Sequence, residues 1–211
     1  MKKSRIIATV LCLTLMFSTL VGCSDKGDYW NVVALSYDDA NSTKRESFID
    51  LNVSPSKNYE IWINVKAIED DEAIIKAAAG YSTGKTFYAK TPDITVTKQL
   101  ITDTLGWIRL RSNVSSSYTL VDVSTSYAMK INEIVVCSAD GEIYPVSYSK
   151  AGYRVSRDRT DMRKEFTAEE VSAMDLGPKN VIKADTTFDR ATAIANYEKA
   201  TGSADASSSS K

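Results

Sequence analysis

Few residues in this 211-residue chain are equipped for chemistry, and their types narrow what that chemistry is. There is no histidine, which removes imidazole acid-base catalysis, Ser-His-Asp and Cys-His nucleophiles, and His-containing zinc sites together. The cysteines are Cys12, Cys23 and Cys137. Cys23 follows Leu20-Val21-Gly22, so its thiol comes just after two small residues that close an apolar run. Cys137 ends Ile134-Val135-Val136-Cys137, where a thiol acts as a small buried hydrophobe; a reactive thiolate is the alternative.

Two tryptophans carry the binding chemistry that remains. Trp62 falls on the polar face of one alternating run, and Trp107 shares a face with Arg109 and Arg111 in another. An aromatic plane stacks on the apolar face of a pyranose while charged groups hydrogen-bond its hydroxyls, so Trp62, Trp107, Arg109 and Arg111 are the candidate ligand-binding residues. The competing reading is structural: a Trp on the outer face of a sheet packs under a loop or against C-terminal helices, with Arg stems lying over it. Asp38, Asp39 and Asn41 lie close together and could give oxygen ligands to a structural calcium. They lack the alternating spacing and distal Glu of a dedicated calcium loop, so a solvated turn is the alternative, and no other cofactor is expected. Glu133 alternates with Ile131 and Val135 and is expected to point toward the core, as an acceptor for backbone N–H groups or as an acid with raised pKa. Carboxylates for glycoside hydrolysis must stand about 5 to 9.5 Å apart across a cleft, and no such pair can be nominated. No catalytic residue is assigned, and an enzyme is not expected.

Elements must place these residues, and the first of them is an address. Lys2, Lys3 and Arg5 precede a mostly apolar stretch from Ile6 to Leu20, the layout of a secretory signal. With Leu20-Val21-Gly22-Cys23 as a lipobox, residues 1–22 resemble the signal peptide of bacterial lipoproteins. The resemblance implies cleavage before Cys23, a diacylglyceryl thioether on its sulfur, and acylation of the new amino terminus by palmitate or a similar chain. Two or more chains hold a protein firmly to a membrane, because each buried methylene contributes about 0.8 kcal/mol. Residues 23–28 read as a polar tether, and the location expected is extracytoplasmic, on a bacterial membrane. An ordinary signal peptide with a chance cysteine is the alternative.

Lys2, Lys3 and Arg5 take three of the 26 basic residues and none of the 27 acidic ones, leaving acid in excess by four after cleavage. That balance argues against a nucleic-acid partner. From Tyr29 to about residue 149 the chain is a series of short runs rich in Val, Ile, Tyr and Thr: 30–37, 46–53, 59–67, 86–89, 94–100, 107–111, 118–124, 130–137 and 143–147. Residues 73–81 fit either a capped helix ending at Gly80 or a strand, and the surrounding series favours the strand. Asp140-Gly141 signals a hairpin turn into 143–147. Many short strands between turns indicate a sandwich or a barrel. Residues 150–200 read as a charged helical extension packed on it, with one helix opened by Thr167-Ala168-Glu169-Glu170 and another from Thr187 to about Ala200. Residues 201–211 are Ser-rich and expected to be disordered.

Three motifs carry a further resemblance: Tyr59-Glu60-Ile61-Trp62-Ile63-Asn64-Val65, Gly106-Trp107-Ile108-Arg109-Leu110, and Ile131-Asn132-Glu133-Ile134-Val135-Val136 followed by Asp140-Gly141. In these the stretch from Tyr59 to about Ser147 resembles the galactose-binding-like group, which includes discoidin-type and carbohydrate-binding modules. The resemblance implies a jelly-roll β-sandwich, here followed by one or two helices and preceded by the lipoprotein signal peptide. The function expected is recognition of a glycan or an envelope partner protein without catalysis. The alternative is a structural or assembly subunit of an envelope complex, docking through the C-terminal region.

Overall fold

Alternation of β-branched and aromatic residues with polar ones favours extended chain, because one face can then be buried while the other is solvated. The computed structural model describes residues 30–32, 44–81, 87–90, 92–126, 129–157, 160–165, 167, 169, 181–183 and 185–202. Its strands are β1 (Trp30–Val32), β2 (Lys44–Val53), β3 (Tyr59–Ile68), β4 (Glu72–Gly80), β5 (Phe87–Lys90), β6 (Ile94–Thr97), β7 (Trp107–Val114), β8 (Leu120–Ser126), β9 (Met129–Ser138), β10 (Val146–Arg157) and β11 (Thr160–Glu165). The helices among the described residues are α1 (Lys98–Asp103) and α2 (Arg190–Thr201). The signal peptide, Cys23, the tether, the candidate calcium residues Asp38, Asp39 and Asn41, most of the helix expected after Thr167, and the tail from 203 lie outside the described residues.

The fold is mainly β, in two antiparallel sheets. The smaller has the order β1-β9-β3-β7; the larger runs β11-β10-β2-β8-β4-β5, with β6 also paired to β4. Except within β4–β6 and β10–β11, successive strands change sheet, so β2, β4, β8 and β10 lie in the larger and β3, β7 and β9 in the smaller. One apolar cluster joins them, with Ile49, Leu51, Ile75, Val121 and Val123 from the larger sheet and Tyr59, Ile61, Ile63, Ile108 and Ile134 from the smaller. Each fully buried side chain of this kind contributes about 1.5 to 3 kcal/mol.

Residues 72–80 form a strand, as favoured. Ala73, Ile75, Ala77 and Ala79 are buried while the residues between them are not, a period of two that a helix would not give. Three expectations need correction. The run 94–100 is a strand only to Thr97. There the threonine hydroxyl accepts from Leu100 N at 3.1 Å and opens α1, so polar capping outweighs the apolar run. Residues 150–165, expected within a helical extension, instead form most of β10 and all of β11, and β10 pairs with β2 along its length. An edge hairpin tolerates charge, and charged side chains there discourage pairing with other chains. The turn at Asp140-Gly141 forms, with Gly141 N donating to Ser138 O at 3.1 Å. Its hairpin is short: Ile143 makes one bridge to Cys137, and from Val146 the chain joins the other sheet.

Gly106, between α1 and β7, is required by its surroundings. Its φ is +84°, and a Cβ there would lie 2.8 Å from the Val65 carbonyl oxygen. That close approach lets Val65 N donate to Gly106 O at 2.9 Å and sets the position of Trp107.

Candidate functional site

Of the nominated residues, Trp62, Trp107 and Arg109 sit on the outer face of the smaller sheet. Trp62 of β3 pairs with Arg109 of β7, and Asn64 pairs with Trp107. This face is covered by the segment that ends in α2. Asp189 caps that helix by accepting from Ala191 N at 3.1 Å, and Gly202 closes it at φ +67°. Phe188 wedges between the tryptophans, with its ring centroid 5.5 Å from Trp62 and 4.6 Å from Trp107. Tyr197 meets Trp62 edge-on at 6.0 Å, and the Arg109 guanidinium stands 5.8 Å from the Trp62 ring and 5.7 Å from that of Tyr197.

Trp62 is therefore 0% exposed, and neither face of its ring is open to a sugar in this arrangement. The packing is the structural alternative read from the sequence, an outer-face Trp under a C-terminal helix with an Arg stem over it. Trp107 and Arg109 remain half-buried. Arg111 is set apart from them. Two residues of β7, from Arg109 to Arg111, span the single step from Trp62 to Ile61, and this bulge breaks the alternation that would have kept Arg111 beside Trp107. It acts on Tyr59 instead: burial raises the pKa of that hydroxyl, and the Arg111 charge opposes the rise. Arg111 Nε is buried without a hydrogen-bond partner among the described residues.

Under the helix lies a charged pair that sequence reasoning missed. Arg190 Nε and Nη2 reach Glu60 Oε2 and Oε1 at 2.9 and 2.8 Å, and Trp62 Nε1 donates to Glu60 Oε2 at 3.0 Å. The two-pronged geometry satisfies both carboxylate oxygens of a residue only 5% exposed. Cys137 is buried beside this pair, and burial first, then the Glu60 charge, pushes its thiol pKa up to about 12. At neutral pH it is the inert thiol rather than the thiolate.

Glu133 is the second correction on this face. β9 carries an extra residue, Asn132, opposite the step from Asn64 to Val65 of β3, and the bulge reverses the alternation. Glu133 pairs with Asn64 and so lies on the outer face with Val135 and Cys137, not in the core with Ile131. It is 3% exposed. It lines a groove of about 760 Å³ between β9, residues 143–146 and residues 182, 183, 185 and 186. The walls are mostly apolar, from Ile134, Ile143, Tyr144, Val146 and Ile182, with Lys183, Asp185 and Thr186 on the other side. Lys183 Nζ donates to Asn132 Oδ1 at 3.2 Å.

A further pair of acids lies on the larger sheet. Asp50 and Asp122 are opposite one another across the β2–β8 pairing and are 1% and 3% exposed. Lys150 Nζ is 3.7 Å from Asp50 Oδ2, and this counter-charge offsets the repulsion of like charges on neighbouring strands. The two carboxylates are neighbours in one sheet rather than partners across a cleft. Their signal in the sequence was an acid flanked by inward-facing residues, Ile49-Asp50-Leu51 and Val121-Asp122-Val123, but only the strand pairing brings them together. Among the described residues no group of three or more metal-ligating side chains forms, and no helix is long and apolar enough to cross a membrane.

No family model, no curated protein and no solved structure matches this chain.

Proposed function

We propose that the chain is a lipid-anchored, extracytoplasmic recognition protein whose two sheets wind as a jelly roll of the galactose-binding-like kind. It binds a glycan or an envelope protein without transforming it. The observation that carries the reading is the strand order. With β5 and β6 taken as one position, the smaller sheet reads first, eighth, third, sixth and the larger second, seventh, fourth, fifth. This is the order produced when two Greek keys wind around a common core, and such domains serve widely as lectins and ligand-binding modules. β10 and β11 extend the larger sheet beyond that unit. The lipobox at Leu20-Val21-Gly22-Cys23 supplies the anchor, and the missing histidines favour binding over catalysis.

The test uses the full-length chain, purified in detergent from a bacterial host. Intact-mass analysis is expected to find acylated Cys23 at the amino terminus, and an unmodified thiol there overturns the anchor. Glycan arrays and envelope pull-downs are expected to retain a polysaccharide or a defined protein, and retention of neither overturns the recognition reading. Trp107→Ala is the informative control. Trp62→Ala is not, because emptying a fully buried Trp site costs about 3 to 5 kcal/mol and confounds binding with folding.

A further inference from the structure

We propose that the groove beside β9 is a binding site for a small organic cation, a single ammonium or guanidinium group carried on an apolar portion, with Glu133 as its counter-ion. The inference deepens the recognition reading and rests on it only in taking the chain to bind its ligand rather than transform it.

Glu133 is the decisive residue. It is 3% exposed, it lines the groove, and its carboxylate has no hydrogen-bond or ion-pair partner among the described residues. Folded proteins rarely leave a buried carboxylate so, because removal from water is costly unless an opposite charge or a set of donors compensates. The cation in the same groove is not paired directly with it. Lys183 lines the same groove, but its ammonium is engaged by Asn132 Oδ1 at 3.2 Å. By contrast Glu60 is held by Arg190 and Trp62, and Asp50 has the Lys150 ammonium at 3.7 Å. With Glu133 and Asp185 against Lys183, the lining carries one more carboxylate than it has cations.

The rest of the lining selects what carries that charge. Ile143, Val146 and Ile182 form apolar walls, while the Tyr144 hydroxyl already meets Glu142 and Ser56 and the Thr186 hydroxyl accepts from Phe188 N. With those polar groups engaged, the surface suits an aliphatic or aromatic body better than a polyol. Lys183 offsets Asp185 in charge, leaving one net negative charge in the lining, so a singly charged ligand is preferred to a diamine. The volume, about 760 Å³, falls within the range of about 300 to 1,000 Å³ typical of small-molecule sites.

The probe is benzylamine, with benzyl alcohol as its neutral match, titrated calorimetrically into the full-length chain in detergent. Benzylamine is expected to bind saturably at one site and at least tenfold more tightly than benzyl alcohol. Glu133→Gln should weaken benzylamine at least tenfold and leave benzyl alcohol unchanged, and Lys183→Met should tighten benzylamine. The proposal is overturned by equal binding of the two probes, by no saturable benzylamine binding, or by unchanged benzylamine affinity in Glu133→Gln. If Glu133→Gln does not fold, Ile143→Trp, at an exposed rim position, narrows the groove without touching the carboxylate; undiminished benzylamine binding by that variant is equally fatal. Should benzylamine fail while a glycan or envelope protein is still retained, the cation site falls and the recognition reading stands. The reverse pattern separates them the other way.

Discussion

Glu60 accepts hydrogen bonds from Trp62 and twice from Arg190 in a setting where a lone carboxylate would be costly. Removing the guanidinium alone leaves that charge buried and unmatched. Arg190→Met is accordingly expected to cost about 3 kcal/mol or more, read as a lower urea midpoint with unchanged slope. Glu60→Gln combined with Arg190→Met should recover part of that loss. A single variant as stable as the parent would show that the pair does not hold the helix down. At this scale the sequence was legible in kind but not in direction. That Trp62 and Arg109 each lie on the outward face of their own strand follows from counting along it, and the strand pairing makes them meet. For Arg111 and Glu133 the same counting fails, because each lies beyond a bulge that adds a residue and turns the next side chain over. Nothing in the local residue types announces those bulges.

At the scale of elements, strands with one buried face were readable and short or charged elements were not. β3 announces itself by alternating residue types, whereas the sequence of β4 fits a capped helix as well and only its neighbours favour the strand. α1 spans six residues, fewer than two turns, and offers no apolar period to detect. Its signals were the capping Thr97 and the glycine beyond its end. β11, at the edge, and β10 beside it look too polar for a sheet, and an edge strand is free to be so. The glycine is the place to probe. Gly106→Ala places a methyl group 2.8 Å from the Val65 oxygen on a backbone with φ +84°. The expected loss is about 2 kcal/mol or more, visible as a lower melting temperature, with the change in amide exchange centred on Val65 and Trp107. Wild-type stability in this variant would mean that the α1–β7 junction relaxes freely.

Across the whole molecule, one surface pair ties distant turns together and makes its contribution depend on pH. Lys57, between β2 and β3, meets Asp140, after β9, at 2.7 Å, and the Ser138 hydroxyl also bonds that carboxylate. These contacts, that of Lys57 first, hold the Asp140 pKa at about 2. The value in an unfolded chain is about 3.9. A group whose pKa is lowered by folding stabilises the folded state fully above the unfolded value and loses that effect as pH falls through the folded one. The contribution of Asp140 is thus present above about pH 4 and fades toward pH 2. In Lys57→Ala, carboxyl-carbon NMR should show Asp140 titrating nearer its ordinary value, and acid unfolding should begin at a higher pH. An unmoved titration would leave Ser138 as the dominant cause.

The roof over Trp62, Val135 and Cys137 comes from residues 188–197, whereas the strands that carry them end by Ser138. Ribosomes make the amino end first, so a nascent polypeptide exposes a sticky indole surface until residues 188–197 emerge. Sheet assembly can run ahead of their synthesis; shielding cannot. A stalled or clipped product ending before Phe188 would be born with that surface bare, and clumping with its own siblings is the fate such surfaces meet.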